Sequence, residues 1–479
     1  MGFWLRQYRE TPSKTYLQSS HLSEHFQKIK IPHMPNKKTN LTQPGQSPNL
    51  HAPTRISNLI DAYPSHAVGI ILVLGILLSV ISMANHPPSL QSGETDSWWV
   101  IALNLIHGHG YSLCLTQYFP FCGPSNQITA MREPLPVFLF TMAAWVGKES
   151  LWVAELVEAI IYLAILLSLY FLTREWADAR SAVITSFLWV IYLPALELIP
   201  QVSGDLFATL CTTLGILFTL RARKTRSTLH WILAGVVLGL AVLSRSATLV
   251  IALLLIGGQT IECWRQHWKP KDIIRPALLI SGLVILMMAP WLIRNRLSLG
   301  RPILGSSLTG YNLYRHNYMI GKNPYFRYVG PEEAAQAIKD LISRRTDLRG
   351  DENEAEMDLI YRDEALQIIK AHPAQYVFLS AYRFFPLWFD WKVAEAYGRP
   401  VKRYDYLIMI LQAILLTLAF VGLQKKAVLT WPMWGSIVAI SLAYMAVDAR
   451  LLYVMPVMPL VVSLSAVGGN KMLVKLIGW

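Results

Sequence analysis

A chain of 479 residues that is 53% hydrophobic and only 15% charged carries too much apolar surface for a water-soluble globule, and its apolar residues come in unbroken runs. It reads as a polytopic membrane protein. The formal charge of +13 does not call for nucleic acid, because Lys and Arg gather in an N-terminal tail and in tight loops between apolar runs, where orientation in a membrane accounts for them.

In chain order, residues 1–62 are rich in Ser, Thr, Asn, Pro, His, Lys and Arg and lack the apolar core of a cleavable signal, so a disordered cytoplasmic tail is expected. Its lysines, Lys28, Lys30, Lys37 and Lys38, would orient the chain and could touch anionic headgroups. A helix needs about 20 apolar residues to cross a hydrocarbon core of about 30 Å, with every backbone polar group paired inside it. Runs read as spans are 67–84, 150–173, 180–199, 203–220, 229–243, 246–263, 274–293, 404–423, 429–447 and 450–468, about ten, with both termini on one side.

The loops give the orientation. Arg174, Arg180, Arg221, Arg223, Lys224, Arg226, Arg265, Lys269, Lys271, Arg275, Lys425, Lys426, Lys471 and Lys475 all fall on the side of the tail. Short loops on the other side carry little beyond Arg245 and Arg450, so the tail side is predicted to be cytoplasmic. Two apolar stretches are poor spans. Residues 134–147 open with Pro134 and Pro136 and are too short, which suggests a re-entrant or juxtamembrane helix; residues 374–391 carry Arg383, Asp390 and many aromatics and look interfacial. Between residues 294 and 403 the hydropathy falls. There Pro331, Glu332 and Glu333 followed by Arg344 and Arg345 predict one helix, and residues 354–371 predict a second ending before His372-Pro373.

The chain thus divides into the tail (1–62), an N-terminal membrane module (63–293) with a first outer loop at 85–133, an extracytoplasmic segment with a juxtamembrane helix (294–403), and C-terminal spans with a short tail (404–479). Cys211 and Cys263 fall in or at the ends of spans and read as packing residues. Cys114 and Cys122 share the first outer loop, in an oxidising compartment; their spacing permits a disulfide without fixing its geometry.

Candidate chemistry begins in that loop, with GETDSWWVIALNLIHGHGYS. Glu94, Trp98 and Ala102 are four apart and form one helical stripe, with Asp96 on a neighbouring face. Acids at a helix N-terminus are worth about 0.3–1 kcal/mol through capping and the dipole alone. Their place just after a span, heading an aromatic interfacial helix, makes them candidate bases as well. Asp205 faces the same compartment, although a solvated loop acid beside Gly204 would look the same. Arg132, Arg245, Arg294 and Arg450 map to outer membrane ends, against the positive-inside bias. Interfacial anchoring is one reading, and a shared phosphate ligand, which the planar Arg fork suits, is the other. Tyr311, Asn312, Arg315 and His316, in GSSLTGYNLYRHN, are candidate contacts for a polar substrate, or turn and packing residues. No metal-ligand cluster, phosphate-cradling Gly loop or nucleophile elbow is evident.

Taken together, the acidic loop running into Trp98, Ala102, Asn104, Leu105, Gly108, Gly110 and Tyr111, then REPLP, LSRSATL, PWLIRN, GYNLYRHN and a late Arg before MPVMP form an ordered set. Over roughly residues 67–468 it resembles the GT-C-fold glycosyltransferases that use polyprenyl-phosphate sugars, a family similar to protein O-mannosyltransferases and the lipid A aminoarabinose transferase. The resemblance implies an all-α, GT-C-like bundle with juxtamembrane helices and a small outer helical segment. It also implies inverting transfer of a sugar to an acceptor hydroxyl or amine at the outer face of a bacterial plasma membrane, in service of the cell envelope. A first-loop acid, Glu94 or Asp96, would be the base or acceptor-orienting group, with Asp205 as the accompanying acid. Arg245 and Arg294, then Arg132 and Arg450, would contact the phosphate. Implied partners are the lipid-linked donor, a protein, lipid or glycan acceptor, and membrane lipids. Whether a divalent metal assists the acids stays open, as do two other classes: a lipid or lipid-linked sugar flippase, and a noncatalytic scaffold on the same fold.

Overall fold

The order of helices follows the apolar runs and their punctuation. The computed structural model describes residues 62–85, 95–123, 127–322, 329–391, 400–423 and 427–477. They form α1 (Pro64–Asn85), α2 (Thr95–Ile106), α3 (Pro134–Val146), α4 (Leu151–Trp176), α5 (Ala179–Val190), α6 (Leu193–Glu197), α7 (Asp205–Thr225), α8 (Thr228–Ser244), α9 (Leu249–Arg265) and α10 (Pro270–Leu299). Next come α11 (Thr309–Asn317), α12 (Pro331–Arg344), α13 (Glu354–Ala371), α14 (Pro373–Tyr382), α15 (Phe384–Phe389), α16 (Arg403–Leu423), α17 (Ala427–Val447) and α18 (Met458–Ile477). Short 3-10 turns at Ser246–Thr248 and Leu451–Val457 lead into α9 and α18. The described residues contain no strand, only an isolated antiparallel bridge between Ser112 and Ile128. This is an all-α polytopic membrane protein. The predicted tail lies, but for residue 62, outside the described residues.

Seven helices among the described residues are long and apolar enough to cross a membrane. The sequence reading of about ten counted three more, at 180–199, 229–243 and 429–447, which that criterion leaves out. The expected span 180–199 is two helices: Pro194 sits at the start of α6, and α5 has only 12 residues, about 18 Å of rise. The expected span 229–243 is the 17-residue α8, and 429–447 lies within α17, whose 21 residues match the length of α7 and α16. The stretch 134–147 is the 13-residue α3, and 374–391 is broken into α14 and α15.

Burial sorts the long helices. The segment Leu451–Lys475 has 94% of its apolar window buried inside the protein, whereas α1, α10 and α16 bury only 28% and turn residues such as Ile70, Leu278 and Ile410 outward, as lipid-facing helices do. α18 is therefore the axis of the bundle. It is tied to α16 by polar contacts that hydrocarbon makes valuable: Ser465 Oγ donates to the Leu415 carbonyl at 2.6 Å and Lys471 Nζ to that of Gly422 at 3.0 Å.

Outside the bundle, a second apolar core joins the first loop to α11, α12 and α13 through Trp98, Trp99, Tyr111, Trp291, Tyr314 and Tyr361. α12 starts at Pro331 with Glu332 and Glu333 in its first turn and Arg344 in its last, so its charges complement its dipole. α13 opens with a capping box: the Asn353 side chain accepts from the amides of Ala355 and Glu356, and Glu356 accepts from the amide of Asn353.

Candidate active site

Gly204 is the point where four elements meet. A Cβ there would lie 2.8 Å from Pro136 Cγ, 2.8 Å from the Ser244 carbonyl oxygen and 3.2 Å from the Trp98 ring, so only glycine lets the turn before α7 seat between α2, α3 and the end of α8. That seat delivers the next residue, Asp205, to Arg245, which follows Ser244. The two form a bidentate pair: Arg245 Nε donates to Oδ1 at 2.7 Å and Nη2 to Oδ2 at 2.6 Å. Asp205 is 1% exposed, and Ser203 Oγ adds a donor to its Oδ2 at 3.2 Å. With Nε and Nη2 engaged, the Nη1 corner of Arg245 is left for another partner. The Tyr453 ring lies under the guanidinium, 5.5 Å away.

The REPLP turn closes the site from the other side. Arg132 is buried, its Nε donating to Ser97 Oγ at 2.7 Å and its guanidinium 5.3 Å from the Trp98 ring. It therefore sits at the first turn of α2, one residue beyond Asp96, whose backbone belongs to that turn; Glu94 lies outside the described residues. Glu133, also buried, accepts from both the amide and the hydroxyl of Ser246 at 3.1 Å, which fixes the residue after Arg245.

Arg294 is placed differently from the other arginines. Nη1 donates to the Thr129 carbonyl at 2.7 Å and Nη2 to that of Tyr111 at 3.1 Å, while the guanidinium lies over the Tyr111 and Trp291 rings. It braces the two limbs of the first loop where they pair. Tyr111 in turn donates to the Arg132 carbonyl at 2.8 Å, and burial, then the charge of Glu133, pushes its pKa well above the usual phenol value. The same loop is closed by a disulfide between Cys114 and Cys122, with Cα atoms 5.7 Å apart. Arg450 stands at the start of the 3-10 turn Leu451–Val457 and accepts the Tyr453 amide on its carbonyl. Tyr311 is buried in an aromatic cluster with Tyr118 and Tyr361, and Asn312 is half-buried one residue on in α11. Among the described residues no group of three or more His, Cys, Asp or Glu is arranged to hold a metal ion.

Several acids that matter to this geometry were not singled out in the sequence. Glu354 accepts from Thr129 Oγ1 at 2.6 Å, the Ala130 amide at 2.9 Å and Ser307 Oγ at 2.8 Å, clamping the segment that leads into REPLP. Burial raises its pKa despite those donors. Asp358, one turn on, accepts from the amides of Gly310 and Tyr311, and burial pushes it up to about 7. His316 and Asp448 pair at 2.8 Å in the interior, with Tyr453 donating to the second Asp448 oxygen at 2.9 Å. Within α4, Glu158 accepts the Ser203 amide at 3.1 Å. The available signal was the same for most of them: a carboxylate on the apolar face of a helix, or at its first turn, where burial and not solvation is the default.

Residues 132–293, about a third of the chain, match the family described as dolichyl-phosphate-mannose-protein mannosyltransferase. The match begins at Arg132 and takes in Glu133, Asp205 and Arg245. No curated protein matches the chain by sequence. Among solved structures, the Archaeoglobus fulgidus oligosaccharyltransferase tethered with an acceptor peptide containing the NVT sequon is similar, with a TM-score of 0.53 and 16% identity over 88% of this chain. The oligosaccharyltransferase AglB from the same organism, in complex with an inhibitory peptide and a dolichol-phosphate, gives 0.51 and 15% over 86%. The fold is GT-C-like. The chain spans about half of each of those proteins, 51% in both comparisons. ArnT from Cupriavidus metallidurans bound to undecaprenyl phosphate is a looser likeness, with a TM-score of 0.40 and 12% identity over 85% of this chain and 79% of that one. At such identities the comparisons establish the architecture, and the chemistry rests on the side chains of the GT-C-like bundle described above.

Proposed function

We propose that this chain is a GT-C glycosyltransferase that moves a sugar from a polyprenyl-phosphate donor to an acceptor hydroxyl or amine. The observation that carries the reading is the Gly204 seat, which gathers the head of α2, the REPLP turn, Asp205 and Arg245 at one end of the bundle. The family match over residues 132–293 and the dolichol-phosphate in the AglB complex support the donor class.

In this reading Glu94 or Asp96 accepts the proton of the acceptor while the acceptor attacks C1 of the sugar. Arg245 offers Nη1 to the leaving phosphate, and Asp205 holds the opposite edge of the guanidinium so that the donor is preorganised and not merely nearby. Arg132, packed on Trp98, adds positive charge beside the base. Arg294 supports the loop through its carbonyl contacts. A single displacement with one base and no covalent nucleophile inverts C1. The distribution of Lys and Arg between loops supports an extracytoplasmic site.

The test is mass spectrometry of purified protein incubated with a panel of undecaprenyl- and dolichyl-phosphate sugars and candidate peptide, lipid and glycan acceptors, with and without a chelator of divalent cations. Loss of donor with release of polyprenyl phosphate is expected. Tight binding of these lipids with no turnover of any of them would point to a flippase or scaffold instead.

A further inference from the structure

Glu158 lies in the second turn of α4 and has no exposed surface. Its Oε1 accepts the Ser203 amide at 3.1 Å, and its Oε2 has no hydrogen-bond partner among the described residues. A carboxylate buried in this way, with half its acceptor capacity unmet, weakens the folded state, and an apolar residue of similar size would pack there without that loss.

The turn it touches explains the residue. α7 begins at Asp205, and its N-cap position is Gly204, which the close packing of Trp98, Pro136 and Ser244 requires and which has no side chain to cap the helix. The turn must therefore be fixed from outside. Ser203 is held by its amide to Glu158 and by its hydroxyl to Asp205 Oδ2, and Asp205 grips the Nε and Nη2 edge of Arg245. We infer that Glu158 is a positioning residue: through Ser203 it sets the orientation of Asp205, and hence of Arg245, from behind the site. The inference rests on the transferase reading for its consequence in catalysis, and on contacts alone for its structural part.

Two variants separate the possibilities. Glu158→Gln keeps a carbonyl oxygen where Oε1 lies, whereas Glu158→Leu fills the space and removes the acceptor. Both are compared with the native protein for monodispersity and thermal unfolding, for hydrogen exchange of peptides covering residues 202–208, and for turnover of the undecaprenyl- and dolichyl-phosphate sugars of the panel above. The leucine variant is expected to fold, to exchange faster at 202–208, and to lose kcat on the order of 10- to 100-fold with KM for the donor changed far less. The glutamine variant is expected to restore both protection and kcat. Unchanged exchange at 202–208 in the leucine variant overturns the inference whatever the turnover. Equal defects in both variants overturn it too, since charge and not the acceptor would then be what matters. If the native protein turns over no donor while the leucine variant loosens and the glutamine variant does not, the positioning of the turn stands and the transferase reading falls.

Discussion

Asp205 and Arg245 lie 40 residues apart in sequence and share two hydrogen bonds in the fold. Each stood out in the sequence, one as an acid and the other as a phosphate ligand, but nothing in a linear pattern says that they pair. The pairing changes what each is expected to do. Arg245→Lys keeps the charge and loses the fork, so Asp205 can no longer orient it; a fall in kcat on the order of 10²-fold is expected from steady-state kinetics, with little loss of folded protein. Asp205→Asn should produce a similar fall, because an amide presents one acceptor and one donor to the guanidinium edge. Turnover at the native rate in either variant would remove the pair from the mechanism. Arg294 illustrates the opposite limit of sequence reading. Its motif is recognisable, yet its donors reach main-chain carbonyls of residues more than 160 positions away, which only the fold reveals.

At the level of elements, sequence and fold agree best where local chemistry is strongest. The helices predicted at 354–371 and from Pro331 are present as α13 and α12, because capping boxes, N-terminal proline and terminal charges act within a turn or two. The expected span 180–199 is divided into two helices where Pro194 interrupts an apolar run. Nothing local showed that α13 would bury Asp358 against Gly310, a residue whose added Cβ would collide with the Asp358 carbonyl. This contact makes a pH prediction. The Asp358 pKa is raised by burial to about 7 from an ordinary 3.8, so the folded state binds the proton more tightly than the unfolded one. The contribution of Asp358 to stability is then full below about pH 4, declines as pH rises toward about 7, and is absent above it. Asp358→Asn should abolish this slope and raise the unfolding midpoint at about pH 8, measured by thermal unfolding in detergent across that range. The same slope in both proteins would show that Asp358 is not its source. Gly310→Ala should destabilise by roughly 1–3 kcal/mol, since the backbone of α13 must move to admit the methyl group.

Across the whole molecule, composition was enough to read an all-α membrane bundle, and hydropathy located every long helix. Which helix would be central was hidden, because α18 is no more apolar than the peripheral α1 or α16, and only packing distinguishes its 94% burial from their 28%. Charge asymmetry predicts an orientation of the bundle, and that prediction has a direct check. Asp347, 64% exposed in the segment between α12 and α13, and Lys224, 70% exposed at the end of α7, are assigned to opposite sides. Asp347→Cys should react with a membrane-impermeant maleimide on intact cells, and Lys224→Cys only after lysis; the reverse pattern would invert the bundle.

In the proposed mechanism an acid at the head of α2 removes the acceptor proton while the arginines receive the phosphate. The most direct measurement of that step is turnover of a polyprenyl-phosphate sugar by the Glu94→Gln and Asp96→Asn variants, alongside their binding of the same lipid. One of the two substitutions is expected to abolish sugar transfer while donor binding stays near native. Full turnover by both variants would contradict that mechanism, because no carboxylate at the head of that helix would then be acting as the base.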